Sequence, residues 1–300
     1  GGTQRRRLGG VVRLLGSVAA LVSDRVRYEE KSIILASRRL SLPLKHVDAK
    51  DMVLELGRKR AEEIGCGTVL MRCVSFYRGL HMTAVLEGSG IRVINSFFTS
   101  NTCGNKLLSS VALERHGVKT PRTLVAFTPA AAAKAANALG YPAILKPVVG
   151  SWGRLIAPLK DEDTAEAILE DRTYMYPLYQ VFYIQEYVNR PPRDIRCVVI
   201  GGRPVAAIYR YSPPGEWKTN VAVGGSSEPC KVTGEIEKIA VKASKAVKGE
   251  VVGVDMMESE KDGLLVHEVN HTTEFKAAAT ATGVNIAEEI VKYVFRSMKK

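Results

Sequence analysis

Asp255 stands on one apolar stretch, and Glu268 and Asn270 on the next, so two neighbouring strands could turn three oxygen-bearing side chains toward one point. An all-oxygen set is what a hard divalent cation such as Mg²⁺ takes, keeping waters or phosphate oxygens in its remaining positions. Solvated strand ends are the plainer reading. Gly253 and Val254 before Asp255, with Val266 and Val269 around Glu268, place both carboxylates in apolar company, where burial without a partner is costly.

Lys146 closes another apolar stretch and is followed by Gly150, Ser151, Trp152 and Gly153. A glycine loop lets backbone N–H groups approach phosphate oxygens, and the lysine adds a point charge. The wording is not GxxxxGK[ST], which disfavours a P-loop kinase, and a plain turn explains the loop equally well. Asp194 and Arg196 alternate on one strand face, and Arg210 lies on its hairpin partner. With Lys218 they could converge on a transferring phosphoryl group; salt-bridged surface arginines are the bland alternative. Glu186 and Val188 sit where a strand runs into a linker whose backbone could meet an adenine edge, or is an ordinary strand end.

Positioning these groups needs strands and helices in a readable order. From 18 to about 101, β-branched runs (18–22, 45–47, 69–73, 91–95) alternate with helical or charged stretches (29–41, 53–64, 79–87), the pattern of βα units on a parallel sheet. Residues 91–95 read as a strand ending in a loop. Helical spacing follows at 106–116, then a strand at 123–128, an alanine-rich helix at 129–139, a strand at 143–147, a helix at 164–171 and a strand at 181–188. A hairpin (195–200 with 204–211), a helix at 234–247, strands at 251–257 and 264–270, and a helix at 285–297 complete the chain. The expected class is α/β in the first third and α+β beyond it.

The chain has 300 residues, 46% hydrophobic and 25% charged, which excludes whole-chain disorder, collagen and coiled coil. Lys and Arg number 43 against 31 Asp and Glu, giving a net charge of +12 and a field that favours acidic partners. No nucleic-acid module is recognisable. Five cysteines without a CxxC pair argue against a disulfide framework or zinc knuckle, so a reducing cytoplasm is expected. Arg5, Arg6 and Arg7 before an apolar stretch imitate a signal peptide. Arg13 within that stretch and its shortness argue for an extension entering a first strand, with no membrane span.

The ordered set of Lys106, Ile144-Leu-Lys-Pro-Val-Val-Gly-Ser-Trp-Gly-Arg154, Gln185-Glu-Tyr-Val188, Asp194-Ile-Arg196, Arg210, Trp217-Lys-Thr-Asn220, Asp255 and Glu268-Val-Asn-His-Thr-Thr-Glu-Phe-Lys276 resembles the RimK-type ATP-grasp ligases. Within them it is similar to the LysX and ArgX branch, from residue 18 to the end. The resemblance implies an N-terminal α/β pre-ATP-grasp domain (18–100) after an extension (1–17), then two α+β subdomains (101–188 and 189–300) enclosing ATP. It further implies phosphate contacts from Lys106, Lys146, Lys218, Asn220 and the 150–153 loop, and adenine contacts from Glu186 and Val188. Asp194 would lie on the ribose or phosphate side, and Asp255, Glu268 and Asn270 would hold Mg²⁺. Arg196 and Arg210 would stabilise an acyl phosphate and, with Asn270 and Thr272, bind the amino acid. The implied reaction joins 2-aminoadipate or glutamate to the terminal glutamate of the acidic carrier protein LysW, in a homo-oligomeric enzyme. A RimK-like glutamate ligase acting on a ribosomal protein or small peptide, and a non-catalytic nucleotide-binding module, are the alternatives.

Overall fold

Short apolar runs rich in β-branched residues form the first sheet. The computed structural model describes residues 18–56, 65–150, 153–213 and 226–298. Strands β1 (Ala19–Ser23), β2 (Leu44–Asp48), β3 (Thr68–Met71) and β4 (Arg92–Ile94) pair in parallel in the order β2-β1-β3-β4. Parallel neighbours require crossovers. Helix α1 (Tyr28–Arg39) supplies one between β1 and β2, and α2 (Phe76–Gly88) another between β3 and β4. Every residue of the central strand β1 is buried, as a strand covered on both faces must be.

Two helices follow, α3 (Phe97–Gly104) and α4 (Lys106–Arg115). The Asn105 side chain between them accepts the N–H groups of Leu107 and Leu108, which caps α4 and fixes Lys106 as its first residue. Helix α3 corrects the expected loop after residue 95. It buries Thr99, Ser100 and Thr102, so its inward face carries no apolar period to read.

The second sheet is antiparallel, in the order β5-β8-β6-β7, from β5 (Thr123–Ala126), β6 (Ala143–Lys146), β7 (Ala157–Leu159) and β8 (Phe182–Glu186). Helices α5 (Pro129–Leu139) and α6 (Glu162–Thr173) close its core through Ala132, Ala136, Ala165 and Leu169.

The third sheet, also antiparallel, runs β11-β10-β9-β12-β13, from β9 (Arg193–Ile200), β10 (Arg203–Tyr211), β11 (Ser227–Pro229), β12 (Val251–Ser259) and β13 (Gly263–Asn270). One face packs Cys197, Val199, Val252 and Val254 under α7 (Gly234–Ala246). The other packs Val198, Ile200, Ile208 and Val251 against α8 (Lys276–Thr282) and α9 (Ile286–Ser297) in a core shared with Leu21, Leu70 and Ile94 of the first sheet and Ile33 of α1. The expected α/β then α+β order holds. Helix α8 and strand β11 were not expected, being too short to show a period. Most of the charged stretch at 53–64 lies outside the described residues.

Candidate active site

The face of the third sheet that carries Val198 and Ile200 changes character along β9: two residues before Val198 stands Arg196, and two before that Asp194. Period-two alternation keeps all four on one side. Register sets Arg196 opposite Asp255 on β12 and Asp194 opposite Arg210 on β10. The charges therefore meet as cross-strand pairs at one end of an otherwise aliphatic face.

Both pairs are bidentate. Arg196 donates from Nε and Nη2 to the two Asp255 oxygens, each at 2.7 Å. Arg210 donates to Asp194 at 2.7 and 2.8 Å, and its Nη2 also lies 3.1 Å from Asp255 Oδ2. Asn270 Nδ2 donates to the same oxygen at 3.2 Å. Asp194 and Asp255 are each only 1% exposed. Burial alone would raise both carboxyl pKa values, but the guanidinium groups outweigh it and hold them below the usual range. Burial likewise works against the charge on Arg210, which the two carboxylates more than restore.

A β-bulge between Asp255 and Met256 breaks the β12–β13 register: Asp255 faces Glu268 whereas Met256 faces Val266, leaving His267 as the extra residue. Because of it, His267, Glu268 and Asn270 all line one cleft. His267 Nε2 lies 3.8 Å from Asp194 Oδ2, near enough to add to the pull on that carboxylate but too far for a hydrogen bond, and among the described residues it has no hydrogen-bond partner. Sequence reasoning missed His267, because neighbours on a regular strand point to opposite faces and nothing in the sequence marks the bulge.

The cleft, of about 790 Å³, separates this charged end from the second sheet. Lys146, the last residue of β6, enters it from that side and donates to the Gln185 side-chain carbonyl. Burial pushes its pKa down to about 8; Glu268 opposes that, and Lys106 and Arg190 reinforce it. Lys106 donates to the Gly150 carbonyl at 2.8 Å and lies 3.4 Å from Glu268 Oε1. Burial would raise the Glu268 carboxyl, and chiefly the Lys106 ammonium turns the net shift downward. Gly150 (φ 148°) and Gly153 (φ 67°) adopt backbone conformations that side chains disfavour, which explains the glycines of that loop.

The structure thus brings together Lys106, Lys146, Gly150, Gly153, Arg196, Arg210, Glu268, Asn270 and Thr272 on the cleft, with Asp194 and Asp255 buried behind the arginines. Glu186 and Val188 lie off it. Glu186 spends its carboxylate on the Arg122 N–H at 2.6 Å, tying the end of β8 to the start of β5. Ser151, Trp152, Lys218 and Asn220 lie outside the described residues. Arg154 and Arg190, which sequence reasoning did not single out as site residues, also line the cleft. Among the described residues no helix is long and apolar enough to cross a membrane.

Residues 103–294 match the RimK-like ATP-grasp domain, and residues 19–102 the LysX preATP-grasp domain. The chain belongs to the RimK-like ATP-grasp ligase family. It is 36% identical to the glutamate–LysW ligase ArgX of Sulfolobus acidocaldarius over 92% of this chain and 97% of that protein. It is 33% identical to the α-aminoadipate–LysW ligase LysX of Sulfurisphaera tokodaii over 94% of this chain and 100% of that one. A RimK domain ATP-grasp protein from Sphaerobacter thermophilus shares the fold, with a TM-score of 0.73 at 22% identity over 92% of this chain and 99% of its own. The same holds for the ATP-grasp ligase PsnB complexed with a minimal precursor, Mg and ADP, with a TM-score of 0.72 at 18% identity over 95% and 98%.

Proposed function

We propose that this ATP-grasp ligase phosphorylates the terminal glutamate carboxylate of a LysW-type carrier protein and couples it to the amino group of an acidic amino acid, 2-aminoadipate or glutamate. The observation that carries the reading is one cleft with the lysines Lys106 and Lys146 on one wall and paired carboxylates and arginines on the other, in a chain whose relatives are LysW ligases of both kinds. The proposed units are 18–100, 101–188 and 189–300, with 1–17 as an extension.

Lys146 and Lys106 would hold the ATP phosphates, with the 150–153 loop above them and Lys218 and Asn220 assigned to the same group by sequence position. Glu186 and Val188 would meet an adenine reaching past the described cleft, through backbone groups other than the Glu186 N–H, which donates to the Arg122 carbonyl. Asp255 and Glu268 face each other in register and Asn270 lies against Asp255; with Arg196 turned off the Asp255 oxygens and the Asn270 amide turned over, these side chains would offer oxygen donors to a hard cation such as Mg²⁺. Bound there, the ion would neutralise phosphate oxygens beside the reacting carboxylate. Arg196 lines the cleft, but its Nε–Nη2 fork is held on Asp255, so it would meet an oxyanion by turning off that carboxylate. Asn270 and Thr272 would contact the amino acid. The +12 charge suits an acidic carrier, and five buried free cysteines suit the reducing cytoplasm. We expect a homo-oligomer that binds no nucleic acid.

The test is ADP release by the purified protein. It should require both the carrier and the acidic amino acid, and mass spectrometry should show the carrier gaining one residue. Release driven by a ribosomal protein or a small peptide instead would favour the RimK-like alternative. No release with any acceptor, despite nucleotide binding, would favour a non-catalytic module.

A further inference from the structure

Residues 271–276, from the end of β13 to the first residue of α8, line the cleft with His271, Thr272, Glu274 and Lys276. Their backbone is held from outside the sheet, by side chains of the N-terminal α/β unit. Asn95, just after β4, donates from Nδ2 to the His271 carbonyl at 2.7 Å and to the Val251 carbonyl at 2.7 Å. Its Oδ1 accepts the N–H groups of Glu250 and Val251 at 2.8 and 3.0 Å. Arg72, just after β3, donates from Nη1 to the Thr273 carbonyl at 3.0 Å and from Nε to Glu30 at 3.1 Å. Glu29, in the first turn of α1, accepts the N–H groups of Phe275 and Lys276, each at 3.1 Å.

These groups are almost fully enclosed: Glu29 is 4% exposed, Glu30 0%, Arg72 2% and Asn95 3%. Burying two carboxylates, a guanidinium and an amide is costly unless each meets a partner. Across the gap between units Glu29 and Arg72 meet backbone groups of this one short segment, and Asn95 ties it to the start of β12, with one bond to His271 and the rest to Glu250 and Val251. A hold on backbone does not depend on which side chains the segment carries. Thr272 and Glu274 lie between the held residues and line the cleft.

We propose that Glu29, Arg72 and Asn95 are positioning residues for the amino-acid half of the site. They fix the 271–276 backbone so that its side chains meet the acidic amino acid in one geometry, while ATP is held elsewhere. This rests on the ligase reading above. It gives the N-terminal unit a defined task in the reaction, and lets residue 272 vary in size without loss of the loop's position, while the Glu274 side chain adds a further tie by accepting from Arg27 at 2.9 Å.

The experiment compares Glu29→Ala, Glu29→Gln and Arg72→Met with the wild type in full-length protein. Glutamine keeps a side-chain oxygen that can accept both N–H groups; alanine does not. We expect the KM for the amino acid to rise on the order of ten- to a hundred-fold in Glu29→Ala and Arg72→Met. The KM for ATP should stay unchanged, and Glu29→Gln should return most of the loss. Hydrogen exchange of a peptide spanning 271–280 should accelerate in the two disruptive variants and stay slow in Glu29→Gln. The exchange measurement needs no substrate, so it reads the clamp even if the ligase reading fails in the wild type. Unchanged exchange in a folded Glu29→Ala protein overturns the proposal, as does a KM for ATP that rises in step with that for the amino acid.

Discussion

Raising the pH should weaken nucleotide binding through Lys146 while relieving the cost of burying it. Lys146 is 8% exposed, and burial lowers its pKa from 10.5 to about 8 against the pull of Glu268. The free protein then carries it about nine-tenths charged at pH 7 and about one-tenth charged at pH 9. Nucleotide phosphates favour the charged form, so above pH 8 binding takes up a proton, and affinity should fall about ten-fold between pH 7 and 9. Stability moves the opposite way. The folded pKa lies below the unfolded value, so the unfolded chain binds more protons between pH 8 and 10.5, and the destabilisation from the buried charge fades as pH rises through that window. From the two pKa values the full effect is on the order of 3 kcal/mol. Calorimetry of ADP binding at pH 7, 8 and 9, with thermal melts, on wild type and Lys146→Met is the assay. The variant should bind weakly and without pH dependence. It should melt above the wild type at pH 7, with the gap closing by pH 10. A wild-type affinity constant from pH 7 to 9 refutes the reasoning.

Asp255→Asn keeps the shape of the side chain but removes the charge that faces Glu268 and Arg196. Carrier-dependent ADP release should fall by about a hundred-fold or more with circular dichroism unchanged, and normal turnover would sink the metal assignment. At Gly253 an added Cβ would lie 2.3 Å from Thr273 Oγ1, so Gly253→Ala should lose about 1–3 kcal/mol, read as a lower melting temperature. Glutamate and 2-aminoadipate differ by one methylene, which a pocket separates by only about 1–3 kcal/mol. A competition assay on the carrier should therefore show measurable use of both.

Much of the architecture was legible because the sheets alternate and the helices α4, α5, α7 and α9 carry apolar periods between clear stops. Asp255, Glu268, Asn270, Arg196 and Arg210 could be picked out because charged residues interrupt apolar strands, and strand alternation alone puts Asp194 and Arg196 on one face. What the pattern hid depends on three dimensions. Helix α3 buries hydroxyls, so it shows no apolar stripe. His267 reaches the cleft only through a bulge. Glu29, Arg72 and Asn95 sit at element ends, where a polar residue reads as solvated, and their roles emerge only once 271–276 folds back onto them.

The charge arrangement also decides which arginine is free to act. Arg210 is 5% exposed and bound to two carboxylates, so removing it leaves Asp194 and Asp255 buried side by side with less counter-charge. Arg196 pairs with Asp255 alone among the described residues, and its side chain is 15% exposed on the cleft. If Arg196 swings toward an arriving phosphate, Asp255 keeps Arg210 at 3.1 Å and Asn270 at 3.2 Å, and no buried charge is stranded. In the proposed reaction we therefore expect Arg196 to be the arm and Arg210 the fixed post. Breaking a buried pair by deleting one partner costs about 3–5 kcal/mol. Arg210→Met should therefore lower the melting temperature strongly, whereas Arg196→Met should leave it nearly intact and reduce carrier-dependent ADP release. Melts and turnover measured side by side check the ranking. A stable, active Arg210→Met beside an unfolded Arg196→Met would reverse it and overturn the assignment of arm and post.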